Sequence, residues 1–170
     1  MAMILETGGN SATGKGIAPC KTYNGTTVYV ANKMAFPASV SSSVITSAGS
    51  STGIQIGSGT TPATEDDYHL ESQLTSGCSA SAPTMEFGED ENGNPIVEYT
   101  FTVTNNSENP ITISEIGYFQ NLYASTTKGS TSATNKNCML DRTVLSSPVT
   151  IPAGEYAAIK YTLKTVLPSS

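Results

Sequence analysis

Tryptophan is absent from this 170-residue sequence, histidine occurs once, and only eight lysines and arginines stand against fourteen aspartates and glutamates. The formal charge is −6. No basic run is present to neutralise several phosphates together, as non-specific nucleic-acid binding requires. Direct binding of DNA or RNA, sequence-specific recognition included, is not expected. Apolar stretches run only a few residues, far short of the ~18 that suggest a membrane span, so a soluble chain with no membrane partner is expected. The opening Met1-Ala-Met-Ile-Leu-Glu6 lacks the basic flank and apolar segment of a secretory signal. Cys20, Cys78 and Cys138 are odd in number, widely spaced and without a Cys-x-x-Cys pair. Neither a zinc site nor a closed disulfide set follows, and the expectation is free thiols in a reducing cytoplasm.

Charge of either sign is scarce as well. Charged residues make up 13% of the chain, about half the ~25% usual for soluble domains, and Ser, Thr, Asn and Gly take their place. Two explanations fit such a surface: a disordered polar segment, or faces that meet other subunits, since interface cores are depleted of charge.

Residues 1–60 are rich in Gly, Ser and Thr, with short apolar clusters at 27–31, 43–46 and 53–57 set among Pro19, Pro37 and many small residues. This third reads as an extended N-terminal arm whose clusters are buried on something else. At 60–71 the pattern changes: Pro62 can open a turn, and Thr64 and Asp67 stand three apart as an approximate capping box. A short helical turn is predicted there, with Glu65, Asp66 and Asp67 at its positive end.

From residue 84 onward the strand signal is strong. Val97, Tyr99, Phe101 and Val103 alternate with Glu98, Thr100 and Thr102, which describes a half-buried strand. Thr84-Met-Glu-Phe87 and the Asn92-Gly93 pair make it the second arm of a hairpin. After a turn at Asn105-Asn-Ser107, apolar residues fall at Ile111 and Ile113, then skip to Ile116 and Tyr118, so a bulge is predicted near Ser114-Glu115. A polar loop at 125–137 leads to an apolar run at 139–145. Ala157, Ile159, Tyr161 and Leu163 share one face of a last strand, preceded by a turn at Pro152-Ala-Gly154. Short strands separated by turns, without an amphipathic helix of useful length, predict an all-β antiparallel β-sandwich, immunoglobulin-like or jelly-roll-like. It spans residues 61–170, with a core drawn mainly from 84–167.

Sites of chemistry are hard to assemble from this sequence. Gly9-Asn-Ser-Ala-Thr-Gly14-Lys15-Gly16 approaches a phosphate-binding loop. Gly16 stands where the magnesium-binding hydroxyl belongs, and no helix pattern follows, so a glycine-rich arm is the better account. His69 neighbours Asp66 and Asp67, and in principle activates Cys78 or Cys138, but no local constellation supports a base–nucleophile pair. Glu89-Asp90-Glu91-Asn92-Gly93-Asn94 collects oxygen ligands, yet Pro95 stands where a calcium loop begun at Asp90 needs glycine, so a solvated hairpin tip is expected. Asn24-Gly-Thr26 and Asn105-Asn-Ser107 match the N-glycosylation pattern, which matters only in a secreted eukaryotic chain. The expectation is no catalytic residue, no cofactor and no metal site.

Three stretches carry a resemblance: Ile56-Gly-Ser-Gly-Thr-Thr-Pro-Ala-Thr-Glu-Asp-Asp-Tyr-His-Leu-Glu71; Phe101-Thr-Val-Thr-Asn-Asn-Ser107 with Ile113-Ser-Glu-Ile-Gly117; and Arg142-Thr-Val-Leu-Ser-Ser-Pro-Val-Thr-Ile-Pro-Ala-Gly154. They resemble small virion structural proteins of tailed bacteriophages, over residues 54–165. The resemblance implies a multi-copy particle component, made in the host cytoplasm and located in the virion. Its partners would be itself and other virion proteins, and it carries over no catalytic residues. A capsid-associated or collar position is expected, with a tail-tube or tail-tip position as the alternative. A second class is a host-surface binding module that uses the 125–137 loop, edged by Tyr123.

Overall fold

The computed structural model describes residues 18–30, 44–45, 52–130 and 132–164. Ten strands are present among them: β1 (Ala18–Lys21), β2 (Thr27–Val30), β3 (Val44–Ile45), β4 (Gly53–Gly57), β5 (Cys78–Ala80), β6 (Thr84–Glu89), β7 (Pro95–Asn105), β8 (Ile111–Ser125), β9 (Thr134–Ile151) and β10 (Tyr156–Lys164). They form two sheets packed face to face, an all-β sandwich as the alternating patterns predicted. Among the described residues no helix is long and apolar enough to cross a membrane.

The smaller sheet is built on β7, with antiparallel β10 on one edge and β5 followed by β6 along the other. Its register pairs Tyr161 with Tyr99, Ile159 with Phe101 and Ala157 with Val103, so the apolar sets of the two strands fall on one face. The β6–β7 hairpin turns at the predicted place. Gly93 there has φ +75°, a left-handed backbone that glycine adopts without steric cost, and its N–H bonds the Asp90 carbonyl at 2.9 Å.

The larger sheet is organised around β8. One edge of β8 pairs with β9 along nearly its whole length; the other pairs with β4 over residues 115–119 and with β2 at residues 124 and 125. The predicted irregularity is found between Ile113 and Glu115, where Ile113 pairs with Val149 but Glu115 pairs with Val144. The excess residues therefore lie on β9, and a second register shift follows between Tyr118 and Phe119.

The main core joins Ile54 and Ile56 of β4 to Tyr99, Phe101 and Val103 of β7, Ile113, Ile116 and Tyr118 of β8, and Ile159 and Tyr161 of β10. This corrects the expected division at residue 60. All five residues of β4 are buried, because they form a strand beside β8 and not part of an arm laid over something else. The core accordingly reaches well upstream of residue 84. A second, smaller core lies where β8 and β9 run on past the smaller sheet. There β1 and β2 fold over the ribbon, and Val28, Leu122, Ala124 and Cys138 are buried together. A Thr22–Cys138 bridge links β1 back to β9, so β1, β2, β8 and β9 close into a ring around these side chains. Residues 1–17, 31–43 and 46–51, the remainder of the expected arm, lie outside the described residues.

One end of the sandwich is fastened by a buried polar side chain. Asn105, with no solvent exposure, donates its amide to the Asn109 and Ile151 carbonyls at 2.8 and 2.9 Å and accepts from the Ser107 N–H at 2.9 Å. Its polar atoms are thus partnered, as burial demands.

Burial of β4 leads to a direct test. Ile54→Ala should cost about 2–5 kcal/mol in urea-unfolding measurements. A chain lacking residues 1–60 should show no cooperative unfolding transition, whereas an arm laid outside the sandwich would leave that transition intact.

Candidate functional site

Burial on both faces of β8 creates the most demanding chemistry in the molecule. The face bearing Ile116 and Tyr118 looks into the main core, while on the opposite face the segment 58–73 reaches Glu115 and Gly117, and the Tyr23 ring lies 6.0 Å from that of Phe119. Glu115 has no solvent exposure. Its Oε1 accepts the backbone N–H groups of Gly59 and Ser72 at 3.1 and 2.7 Å, and its Oε2 accepts the Glu71 N–H at 3.1 Å. Arg142 of β9, paired with Gly117 of β8, donates its Nε–H to Glu115 Oε2 at 2.8 Å. The same guanidinium donates to Asp67 Oδ2 at 2.7 Å and to the Thr61 carbonyl at 3.1 Å, and lies 3.7 Å from Glu71.

Close approach of backbone to Glu115 makes the glycines here a steric requirement. A Cβ added at Gly57 or Gly59 would lie 2.5 Å from Glu115 Oε1, inside contact distance. At Gly117 a Cβ would lie 2.9 Å from Leu70 Cδ2, so the bare glycine admits the Leu70 side chain onto the strand.

The predicted helical turn at 60–71 is not formed. Thr64 and Asp67 do meet: Asp67 accepts the Thr64 N–H and hydroxyl, each at 2.9 Å. The pair closes a turn, not a helix, because Asp67 is drawn into the sheet-bound Arg142. Asp66 instead pairs with Lys21 at 2.7 Å on the surface. Asp66 and Asp67 of the acidic run are thus organised by cations from β1 and β9, and no helix dipole is involved. Burial raises the Asp67 pKa, but the Thr64 N–H and the Arg142 guanidinium outweigh it and hold the carboxyl below its ordinary value. Glu71 is lowered too, first by the Thr61 N–H. For Arg142, burial opposes the charge while Asp67 and Glu115 favour it more strongly, so its pKa rises.

The residues weighed as catalytic or metal-ligating candidates are dispersed. His69 bonds the Leu70 carbonyl through Nδ1 at 2.6 Å, and its ring neighbours are Tyr68, edge-on at 4.5 Å, and Tyr23 at 6.1 Å. Cys78 lies in β5 of the smaller sheet, where burial raises its pKa. Cys138 lies in the small core with Cys20, the sulfurs 3.0 Å apart. Neither cysteine is brought to His69 by these contacts. At the hairpin tip, Asp90 accepts the Asn92 and Asn94 N–H groups at 2.9 Å and pairs with Lys164; Lys164 above all holds its carboxyl well below the usual range. The glycine-rich 9–16 segment lies outside the described residues.

A groove of about 400 Å³ opens beside the β1–β2 turn, lined by Tyr23, Asn24, Thr126, Asn135, Lys136 and Asn137 among others. It adjoins the expected 125–137 loop, which is shorter than the sequence predicted: β8 runs on to Ser125 and β9 begins at Thr134, pairing Ala124 with Thr134 and Tyr123 with Asn135. Val28 lines the groove beside exposed polar groups of Asn24, Thr126 and Asn135, the last with Lys136 and Asn137 belonging to β9, and no nucleophile–base arrangement is found among these lining residues. Neither Glu115 nor Arg142 is marked as a site residue by any motif in the sequence. A glutamate inside an otherwise apolar strand, at the point where alternation breaks, was the available signal.

Neither protein-family models, curated proteins nor solved structures yield a match to this chain.

Removing Arg142 would strand the buried Glu115 charge. Arg142→Ala is expected to cost about 3–5 kcal/mol, read as a lower urea midpoint. The acid limb carries a second signature. A carboxyl whose folded pKa is depressed stabilises the fold above its unfolded value of ~3.9, and that stability is lost as pH falls through the folded value. Asp67→Asn should therefore lose less stability than the parent as the pH falls below about 4, measured by urea unfolding at each pH.

Proposed function

We propose that this protein is a non-enzymatic structural component of a tailed-bacteriophage virion, assembled in many copies and capsid-associated or in the collar. The observation that carries the reading is a large apolar side chain exposed at the edge of the smaller sheet. The row Phe87–Val97–Leu163, in register across β6, β7 and β10, continues the core-facing side of the smaller sheet. Phe87, at its edge, is 73% exposed. Val97 and Leu163 pack against the main core while Phe87 beside them is left to solvent, and an aromatic side chain exposed at a sheet edge suits contact with another subunit. The scarcity of charge over the whole sequence supports the same reading, as does the resemblance in residues 54–165, within which Gly57, Gly59, Glu115 and Arg142 meet in one buried cluster.

Purified particles of the phage whose genome encodes the chain provide the test. The protein should appear by mass spectrometry at a stoichiometry of many copies per particle, and a density map should place it on the shell or collar. Phe87→Asp should leave thermal unfolding nearly unchanged while abolishing incorporation. Absence from the particles would refute the proposal, and copies stacked along the tail axis would move the protein to the tail. The groove beside Tyr23 and Thr126 favours one second reading, a host-surface binding role for the 125–137 loop. Particles that keep the protein but lose host adsorption when the loop is shortened would support that role.

A further inference from the structure

We propose that Cys20 and Cys138 form an intramolecular disulfide when the protein meets an oxidising medium, making the pair a covalent modification site that locks the β1–β2 hairpin onto the β8–β9 ribbon. The two residues are 118 positions apart in sequence, yet their sulfurs lie 3.0 Å from one another. No local pattern brings them together; the closure of the four-strand ring does. Cys138 occupies the buried small core with Val28, Leu122 and Ala124, while Cys20 packs against that core from β1.

The cross-link would fall where the ring is least secured. β1 is joined to β2 by four register pairs and β8 to β9 along most of their lengths. Between β1 and β9 there is the isolated Thr22–Cys138 bridge, and just beyond it the Tyr23 N–H bonds the Asn137 carbonyl at 3.2 Å. A disulfide between Cys20 and Cys138 converts this seam from a few hydrogen bonds into a covalent joint.

The chemistry is ordered by position. Cys20 is partly exposed and Cys138 is buried. The hydrogen bond with Cys138 lowers the Cys20 pKa against the opposing effect of burial; on Cys138 the same bond and burial both act upward. Cys20 is therefore the first nucleophile. Its thiolate attacks one sulfur of a low-molecular-weight disulfide, forming a mixed disulfide and expelling one small thiolate, which takes up the proton Cys20 released. Cys138 then loses its proton, its thiolate attacks the Cys20 sulfur, and the second small thiolate leaves and is protonated. Two protein thiols are oxidised, and one small disulfide is reduced to two thiols. Cys78, in the other sheet, takes no part.

The test uses the full chain incubated with oxidised glutathione, then blocked with an alkylating reagent and digested. The expected result is a linked peptide pair containing Cys20 and Cys138, an intact mass lower by two hydrogens apart from the alkyl label, and Cys78 still alkylated. The melting temperature should rise by roughly 10 °C, since a cross-link closing so long a loop restricts the unfolded chain, and a reductant should reverse the shift. Cys20→Ser, at the partly exposed position, should abolish both the linked peptide and the shift; Cys78→Ser should retain both. The proposal is overturned if Cys20 stops at the mixed disulfide, if Cys78 enters the linkage, or if the disulfide joins two copies. It is equally overturned if Cys20 and Cys138 stay alkylatable after oxidation, or if Cys20→Ser keeps the thermal shift.

Discussion

A carboxylate with no access to solvent lies at the middle strand of the larger sheet, and the arrangement around it follows from the need to keep its charge compensated. An isolated buried charge is too costly to retain, so Glu115 is met by three backbone N–H groups and by Arg142. Those N–H groups belong to residues 59, 71 and 72, at the two ends of one loop. The carboxylate therefore acts as a template that draws the ends together over the sheet. Arg142 extends the fastening to Asp67 and Thr61 in the loop's middle. A segment without helix or strand is held in one conformation by charge-assisted hydrogen bonds, which are the stronger kind.

That loop gives β8 its second burial. Most strands of a two-sheet sandwich bury one face and solvate the other, whereas Ile113 through Gln120 are buried without interruption. The main core covers one side, and Leu70 with the residues around Glu115 covers the other. Farther along, the β1–β2 hairpin covers the same strand's distal part. β8 is thus supported by three separate pieces of chain, and two of them come from the first 73 residues. The upstream third, sparse in apolar residues, places the few it has where they count: Val28 in the small core, and Ile54 and Ile56 in the large one.

The same geometry separates what is committed to the fold from what remains available. Arg142, Lys21, Lys160 and Lys164 are each engaged with carboxylates, half of the eight cations in the sequence. Among the described residues, the large apolar side chains left exposed are Phe87, Tyr123 and Tyr156. The assembly role proposed above would draw on that second group, in which Phe87 on the β6 edge is the most exposed.

Strand periodicity alone determined much of this protein. The alternation at 97–103 and 157–163, the Asn92-Gly93 turn, the irregularity at Ser114-Glu115 and the all-β class were legible because a half-buried strand writes its two faces into the sequence with a period of two. What the sequence could not reveal was long-range pairing. Gly53-Ile-Gln-Ile-Gly57 is too short to declare a partner, and only its fit beside β8 makes it core and not arm. The capping pair Thr64 and Asp67 was visible, but whether it starts a helix or closes a turn depended on Arg142, 75 residues away from Asp67. Likewise Cys20 and Cys138 read as unrelated thiols until the ring of strands sets them side by side. Local pattern records which face of a segment avoids water; which segment meets that face is decided only when the whole chain has found the lowest-energy way to bury both.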